Sequence, residues 1–275
     1  MRVAITGASG MAGRWIARAL QGAGHELLCL SRPGWRLGQV PDMRGCDALV
    51  HAALHHLPGL YRGGEGDDPD GFVAANLDGS IRLFRGAKEQ GVRRVLFLSS
   101  RAVHDGHPPG LLPDDLPPAP VTLYGQVKAR AEQALVQMAD GDFRTGSLRA
   151  TGLYGPGKPQ KWAGIIGDFL NGRTPAPRVA TELHGADLGR AALAVLDDPG
   201  LHGSYNASDL VLDRRELLAE IARLTGCGTV LPQCADRGGM RVLDCARLAA
   251  MGWRPGGMAL LRRDLPAILR DVATG

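Results

Sequence analysis

Tyr124 and Lys128 stand four residues apart in Tyr124-Gly125-Gln126-Val127-Lys128, inside a stretch, 122–138, whose pattern predicts a long helix. At that spacing two side chains lie one above the other on a single helix face. An ammonium beside a phenol stabilises the phenolate and lowers its pKa from about 10, which suits proton exchange with a hydroxyl near neutral pH. The chain holds only four tyrosines and four lysines (Lys88, Lys128, Lys158, Lys161) against 28 arginines. Chance would supply only about 0.06 such pairs in a chain of this make-up. The competing reading is an ordinary exposed helix pair. Leu98-Ser99-Ser100 closes an apolar run that reads as a strand, and a serine hydroxyl there can hold a substrate carbonyl while the tyrosine delivers the proton. No GxSxG elbow surrounds Ser99 or Ser100, so a nucleophilic serine is the poorer reading.

A second site is carried by Thr6-Gly7-Ala8-Ser9-Gly10-Met11-Ala12-Gly13, which joins a first apolar strand (3–6) to a helix (11–21). Glycines at Gly7, Gly10 and Gly13 give a tight turn and a close backbone approach, and the helix N-terminus presents N–H groups to a pyrophosphate. The competing reading is a flexible turn in a chain with 39 glycines. The second strand (26–30) ends in Leu30-Ser31-Arg32, with no carboxylate to accept hydrogen bonds from the adenosine ribose. Arg32, with Arg36 as a second candidate, has the fork that pairs with a 2′-phosphate, so NADP is expected ahead of NAD. A solvated surface arginine is the alternative.

The elements that must position these residues alternate. Strands at 47–51, 94–99 and 143–149 intersperse with helices near 72–90 and 122–138, which predicts a parallel sheet covered on both faces. Ligands gather at the carboxyl ends of such strands, making the loops 7–13, 52–68 and 100–121 the ones to watch. The second half is less regular: helices are expected at 161–171, 186–197, 214–225 and 259–272, with a short strand at 203–206.

Composition bounds the rest. At 275 residues and 44% hydrophobic, the chain has ample core for one large or two small domains. A net charge of +4, spread along the chain without interleaved aromatics, gives no nucleic-acid surface. Five cysteines without a CxxC pair argue against a disulfide framework or zinc site, and suggest a reducing cytoplasm. No window approaches 18 uninterrupted apolar residues, and the N-terminus lacks the apolar core of a signal peptide, so a cytoplasmic protein without a membrane partner is expected. His51, His55, His56, His104 and His107 cluster near strand ends but show no helical HxxxH pair, and no metal is expected.

Taken in order, these segments resemble the extended short-chain dehydrogenase/reductases, the NAD-dependent epimerase/dehydratase family. TGASGMAG (6–13) is similar to the family's TGxxGxxG, DALVHAA (47–53) to DxVxHxAA, and YGQVK (124–128) to YxxxK. LRATGLYGPG (148–157) resembles LRPxxxYGPG, and MGWRP (251–255) the closing LGWxP. The resemblance implies Ser100, Tyr124 and Lys128 as catalytic residues, with Lys128 also on the nicotinamide ribose. It implies Ser9, Gly10 and Met11 at the pyrophosphate, and Ala52, Ala53 and Asn76 along the cofactor.

The departures also carry information. Arg101-Ala102 stands where dehydratases carry Asp-Glu, so 4,6-dehydration is not expected. His104 replaces a tyrosine, Ala150 replaces a proline, and the segment before Asp47 is too short for the usual helix. His55, Arg101 and His104 either face the substrate pocket or lie in solvent. The small C-terminal lobe argues against a UDP- or GDP-sugar. The expected architecture is a Rossmann-type doubly wound α/β domain (1–157 and 182–207) with a small, mostly helical substrate lobe (158–181 and 208–275). The leading reading is an NAD(P)-dependent oxidoreductase for a secondary alcohol or ketone, working as a homodimer through the helices at 72–90 and 122–140. A sugar epimerase and a non-catalytic dinucleotide sensor remain as alternatives.

Overall fold

A computed structural model describes residues 1–57, 60 and 63–274. Part of the 54–68 loop, expected to help choose the substrate, lies outside the described residues. The chain runs β1 (Arg2–Thr6), α1 (Met11–Gly22), β2 (Glu26–Leu30), β3 (Ala48–His51) and α2 (Pro69–Val73). A π-helical turn (Ala74–Asp78) leads into α3 (Gly79–Glu89), β4 (Arg94–Ser100), a 3₁₀ turn (Arg101–His104), β5 (Gly110–Leu112) and α4 (Leu123–Met138). There follow β6 (Arg144–Ala150), β7 (Gly152–Tyr154), α5 (Ala163–Leu170), β8 (Val179–His184), α6 (Gly185–Asp197), β9 (Gly203–Ala207) and β10 (Leu210–Asp213). The chain ends with α7 (Arg214–Thr225), β11 (Arg241–Leu243), α8 (Ala246–Ala250) and α9 (Gly257–Ala273).

Six strands form one parallel sheet in the order β2-β1-β3-β4-β6-β9. Because both faces are covered, β1, β3 and β4 carry apolar runs rather than alternating, whereas β6 (RTGSLRA) buries Thr145, Ser147 and Arg149 among its few apolar residues. Val3, Ile5, Val50 and Leu96 pack toward α1 and α6 on one face. Ala4, Leu49, Val95 and Phe97 pack toward α3 and α4 on the other. The expected α/β fold is the one formed. Residues 31–47 contain no helix; Trp35, Met43 and Cys46 are buried there and fill the space against the second face.

The chain goes from β1 outward to β2, then returns to place β3 on the other side of β1. That reversal makes a crevice at the strands' carboxyl ends, where ligands of such sheets bind. Thr6 pairs with both Leu30 and His51 across it. Further along, Ser100, Ala150 and Ala207 stand side by side at the ends of β4, β6 and β9.

The C-terminal part holds a third core, in which Tyr154, Trp162, Phe169, Leu218, Ile221 and Leu265 meet between α5, α7 and α9. Its helices match the expected positions closely. A three-stranded sheet, β10-β8-β7, was not foreseen. Its strands, GLY, VATELH and LVLD, lie in the less regular second half, where neighbouring Gly and Pro obscure a period of two.

Candidate functional site

The turn between β1 and α1 is built from glycines that nothing larger could replace. Gly7 adopts φ +68, and a Cβ there would lie 2.9 Å from the Ala53 backbone. A Cβ on Gly13 would collide with the Gly7 carbonyl. Gly7 N–H donates to Leu30 O and Gly10 N–H to Gly7 O, which closes the turn. Gly10 caps α1 without a side-chain hydrogen bond, and the first helical turn, from Met11, carries no acidic residue. An uncapped helix start beside a backbone-lined cradle is the donor set that a pyrophosphate takes. Residues of this type fit a dinucleotide. Ser9 lies in this turn, Ser31 is half-buried at the tip of β2, and Arg32 and Arg36 beyond it are exposed.

Behind the cradle runs a directional chain of buried hydrogen bonds. Ser80 Oγ donates to the Asn76 carbonyl at 2.5 Å, so it accepts from His51 Nε2 at 2.8 Å. His51 Nδ1 then accepts from Thr6 Oγ1 at 2.6 Å, and Thr6 Oγ1 accepts from Ala53 N–H at 3.3 Å. This order requires a neutral imidazole, and burial, helped by the Lys128 charge, pushes the His51 pKa down to about 3. The Asn76 amide accepts from His55 N–H (2.7 Å) and donates to the His55 and Phe72 carbonyls. Asn76 therefore shapes the backbone that carries Ala52 and Ala53, using its whole amide to do so. Its place in a π-helical turn suits this work, since such turns shift one residue out of the helical ladder.

Across the sheet, α4 begins at an N-cap, Thr122, whose hydroxyl accepts from Gly125 N–H. Gly125 lets the helix start lie against the Ala102 carbonyl, where a Cβ would come within 2.6 Å. Tyr124 is half-buried, whereas Lys128 is buried at 5% exposure. Lys128 Nζ donates to Leu98 O at 2.7 Å and lies 4.5 Å from the Phe97 ring centre and 5.9 Å from that of Tyr124. Burial pushes its pKa down to about 8, with Glu132 opposing. One hydrogen bond thus ties the helix bearing Tyr124 to the strand end bearing Ser99 and Ser100. Ser100 Oγ accepts from Ala102 N–H at 3.2 Å, leaving its hydroxyl proton as a donor. Ser99 Oγ is buried without a hydrogen-bond partner among the described residues.

The structure separates the three residues considered for the pocket wall. His55 is exposed, and Arg101 pairs with Asp105 at 3.0 Å. His104 is fully buried and faces the protein interior: its Nε2 accepts from Arg149 Nη1 at 3.0 Å. Burial and the Arg149 charge push its pKa down to about 4. Arg149 also grips Glu132 through Nε and Nη2 (2.8–3.2 Å), an ion pair that sequence reasoning missed. The available signal was Glu132 itself, one helical turn beyond Lys128. Ser80 was missed as well, having no signature outside the fold, and Thr6 entered only as the first residue of TGASGMAG, without a role. Among the described residues no three His, Cys, Asp or Glu side chains are grouped to hold a metal, and no helix is long and apolar enough to cross a membrane.

Comparison with known proteins gives these features company. The model of the NAD dependent epimerase/dehydratase family matches residues 3–206. The 3-diazoavenalumate denitrifying reductase of a Streptomyces species is 27% identical over 251 residues, 82% of each chain. The D-erythronate dehydrogenase of Cupriavidus necator is 35% identical over 138 residues, 47% of this chain and 43% of that protein. Other curated relatives align over about a third to a half of their own length (32%, 47% and 51%). Among solved structures, MoeE5 in complex with UDP-glucose and NAD superposes with a TM-score of 0.78 at 24% identity, covering 100% of this chain and 99% of that one.

Proposed function

The chain belongs to the NAD dependent epimerase/dehydratase family of enzymes, and from that premise we propose that it is an NADP(H)-preferring oxidoreductase interconverting a small secondary alcohol and its ketone. The observation that carries this reading is Lys128, a buried ammonium fixed to Leu98 O beside the Ser99-Ser100 strand end and within 5.9 Å of the Tyr124 ring. When bound, the nicotinamide supplies the hydride donor or acceptor. Tyr124 exchanges a proton with the substrate hydroxyl, and the Lys128 charge favours its phenolate form. Ser100 donates its hydroxyl proton to the substrate oxygen. Gly7, Ser9, Gly10, Met11 and Gly13 would hold the pyrophosphate, and Ser31 and Arg32 the adenosine 2′-phosphate. Ala52 and Ala53, kept in place by Asn76, would line the cofactor, and Tyr124 and Lys128 would meet its ribose. In this reading 1–157 and 182–207 bind the dinucleotide, 158–181 and 208–275 take the substrate, and two copies pair through α3 and α4.

Tyr124→Phe tests the reading. Turnover should fall about 10²–10⁴-fold while cofactor affinity stays within a few-fold. Unchanged function would instead make the chain a dinucleotide sensor. An epimerase would keep its cofactor through purification and show no net hydride consumption. Tighter binding of NADH than NADPH, indifferent to Arg32→Ala, would remove the NADP preference.

A further inference from the structure

A cavity of about 120 Å³ opens between α5, α7 and the small sheet. Trp162 and Leu217 give it an apolar side, and Lys161, Arg178, Arg214 and Glu182 a charged one. Glu182 is buried and paired with Lys161. One carboxylate therefore faces three cations. Arg214 gives one of its N–H groups to Ala176 O, and burial together with the Arg178 charge lowers its pKa, as expected where positive charge exceeds negative. Arg178 itself is exposed.

One wall of the cavity is joined to the proposed reacting end of the cleft through strand pairing. Glu182 pairs with Gly152, which follows two residues after Ala150, the strand neighbour of Ser100. At strand spacings of about 3.3 Å along and 4.8 Å across, two crossings and two residues put the Glu182 backbone within roughly 16 Å of that of Ser100. A short carbon chain bridges that separation once Ser100 and an arginine reach in from its two ends. Drug-sized ligands need pockets of roughly 300–1,000 Å³, so this cavity suits a compact group and not a nucleoside diphosphate.

We propose that this cavity binds the carboxylate end of the substrate, a small hydroxy- or oxo-acid whose alcohol or ketone carbon lies at Ser100 and Tyr124. Arg178 and Arg214 hold the anion, Trp162 and Leu217 pack its carbon stem, and the Lys161–Glu182 pair forms the floor. The substrate class rests on the oxidoreductase reading, but anion binding has a readout of its own.

Calorimetry on the cofactor-loaded protein, with succinate and its neutral diamide as probes, tests the site. Succinate should bind about tenfold or more tighter than succinamide, and Arg178→Gln and Arg214→Gln should each remove a similar factor. Arg178 is exposed, so its variant keeps the proposal falsifiable if loss of the Arg214–Ala176 contact impairs folding. Equal binding of the two probes, succinate affinity unchanged in both variants, or displacement of succinate by micromolar UDP would overturn it. Succinate binding without hydride transfer to any short oxo-acid would sink the oxidoreductase reading and leave the anion site standing. Hydride transfer to short oxo-acids, with KM unchanged in both variants, would do the reverse.

Discussion

Two buried cations, Lys128 on α4 and Arg149 on β6, sit in adjoining regions and are treated in opposite ways. Arg149 is matched on every side: Glu132 takes two of its nitrogens, His104 and the Asp114 carbonyl take the third. Lys128, as deeply buried, has one carbonyl and two aromatic rings. Burying an ion costs several kcal/mol unless a partner offsets it. The ion pair offsets that cost for Arg149, while for Lys128 it remains and lowers the pKa toward 8. Glu132 stands one helical turn from Lys128 yet spends its oxygens on Arg149. The contrast separates a cation whose charge is offset within the fold from one whose charge is not, and the proposed function gives the second a phenolate and a ribose to meet.

The largest expected effect breaks the reactive side. Lys128→Met should lower turnover about 10³-fold, within the range for losing an acid–base group or its partner, and weaken cofactor binding. Its thermal unfolding should move far less than that of a variant on the other side. A variant with normal turnover would show that Lys128 is an ordinary core residue. Next in size is Arg149→Met, which leaves Glu132 buried without its partner and should cost about 3–5 kcal/mol in denaturant melts. The fraction that still folds should turn over substrate within a few-fold of wild type. A selective loss of turnover would mean the two regions are not separable.

How far the sequence discloses each side follows from where the signal resides. Tyr124 and Lys128 lie on one helix, so a spacing of four places them together. The Gly7–Gly13 turn is equally local. The Arg149 cluster draws on β6, α4 and the loop after β4, and no spacing along the chain relates His104, Glu132 and Arg149. The same limit applies to His51, whose partners Thr6 and Ser80 come from β1 and α3. His104 was open to a place on the pocket wall because strand-end loops usually face the ligand; the 3₁₀ turn at Arg101–His104 instead carries its ring inward onto Arg149. Strands β1, β3 and β4 announce themselves by apolar runs, whereas β7, β8 and β10 pair only with one another and gain their meaning there.

The smallest effect compares the regions through their histidines, His51 near Lys128 and His104 against Arg149. Both are held neutral, with folded-state pKa values of about 3 and about 4 against an ordinary 6.5. As pH falls below 6.5 the unfolded chain takes up two protons that the folded chain refuses. Stability present above pH 6.5 is therefore lost on the way down to pH 4 and beyond. Together the two histidines add a slope approaching about 2.7 kcal/mol per pH unit, one proton from each. Urea melts between pH 4 and 7 read this directly. His104→Gln keeps an acceptor for Arg149 and should remove one proton from the slope; His51→Gln should remove the other. If neither variant changes the slope, burial is not what keeps these rings neutral. If only His104→Gln does, the proton linkage belongs to the Arg149 region, and His51 senses pH through neither the cradle nor Lys128.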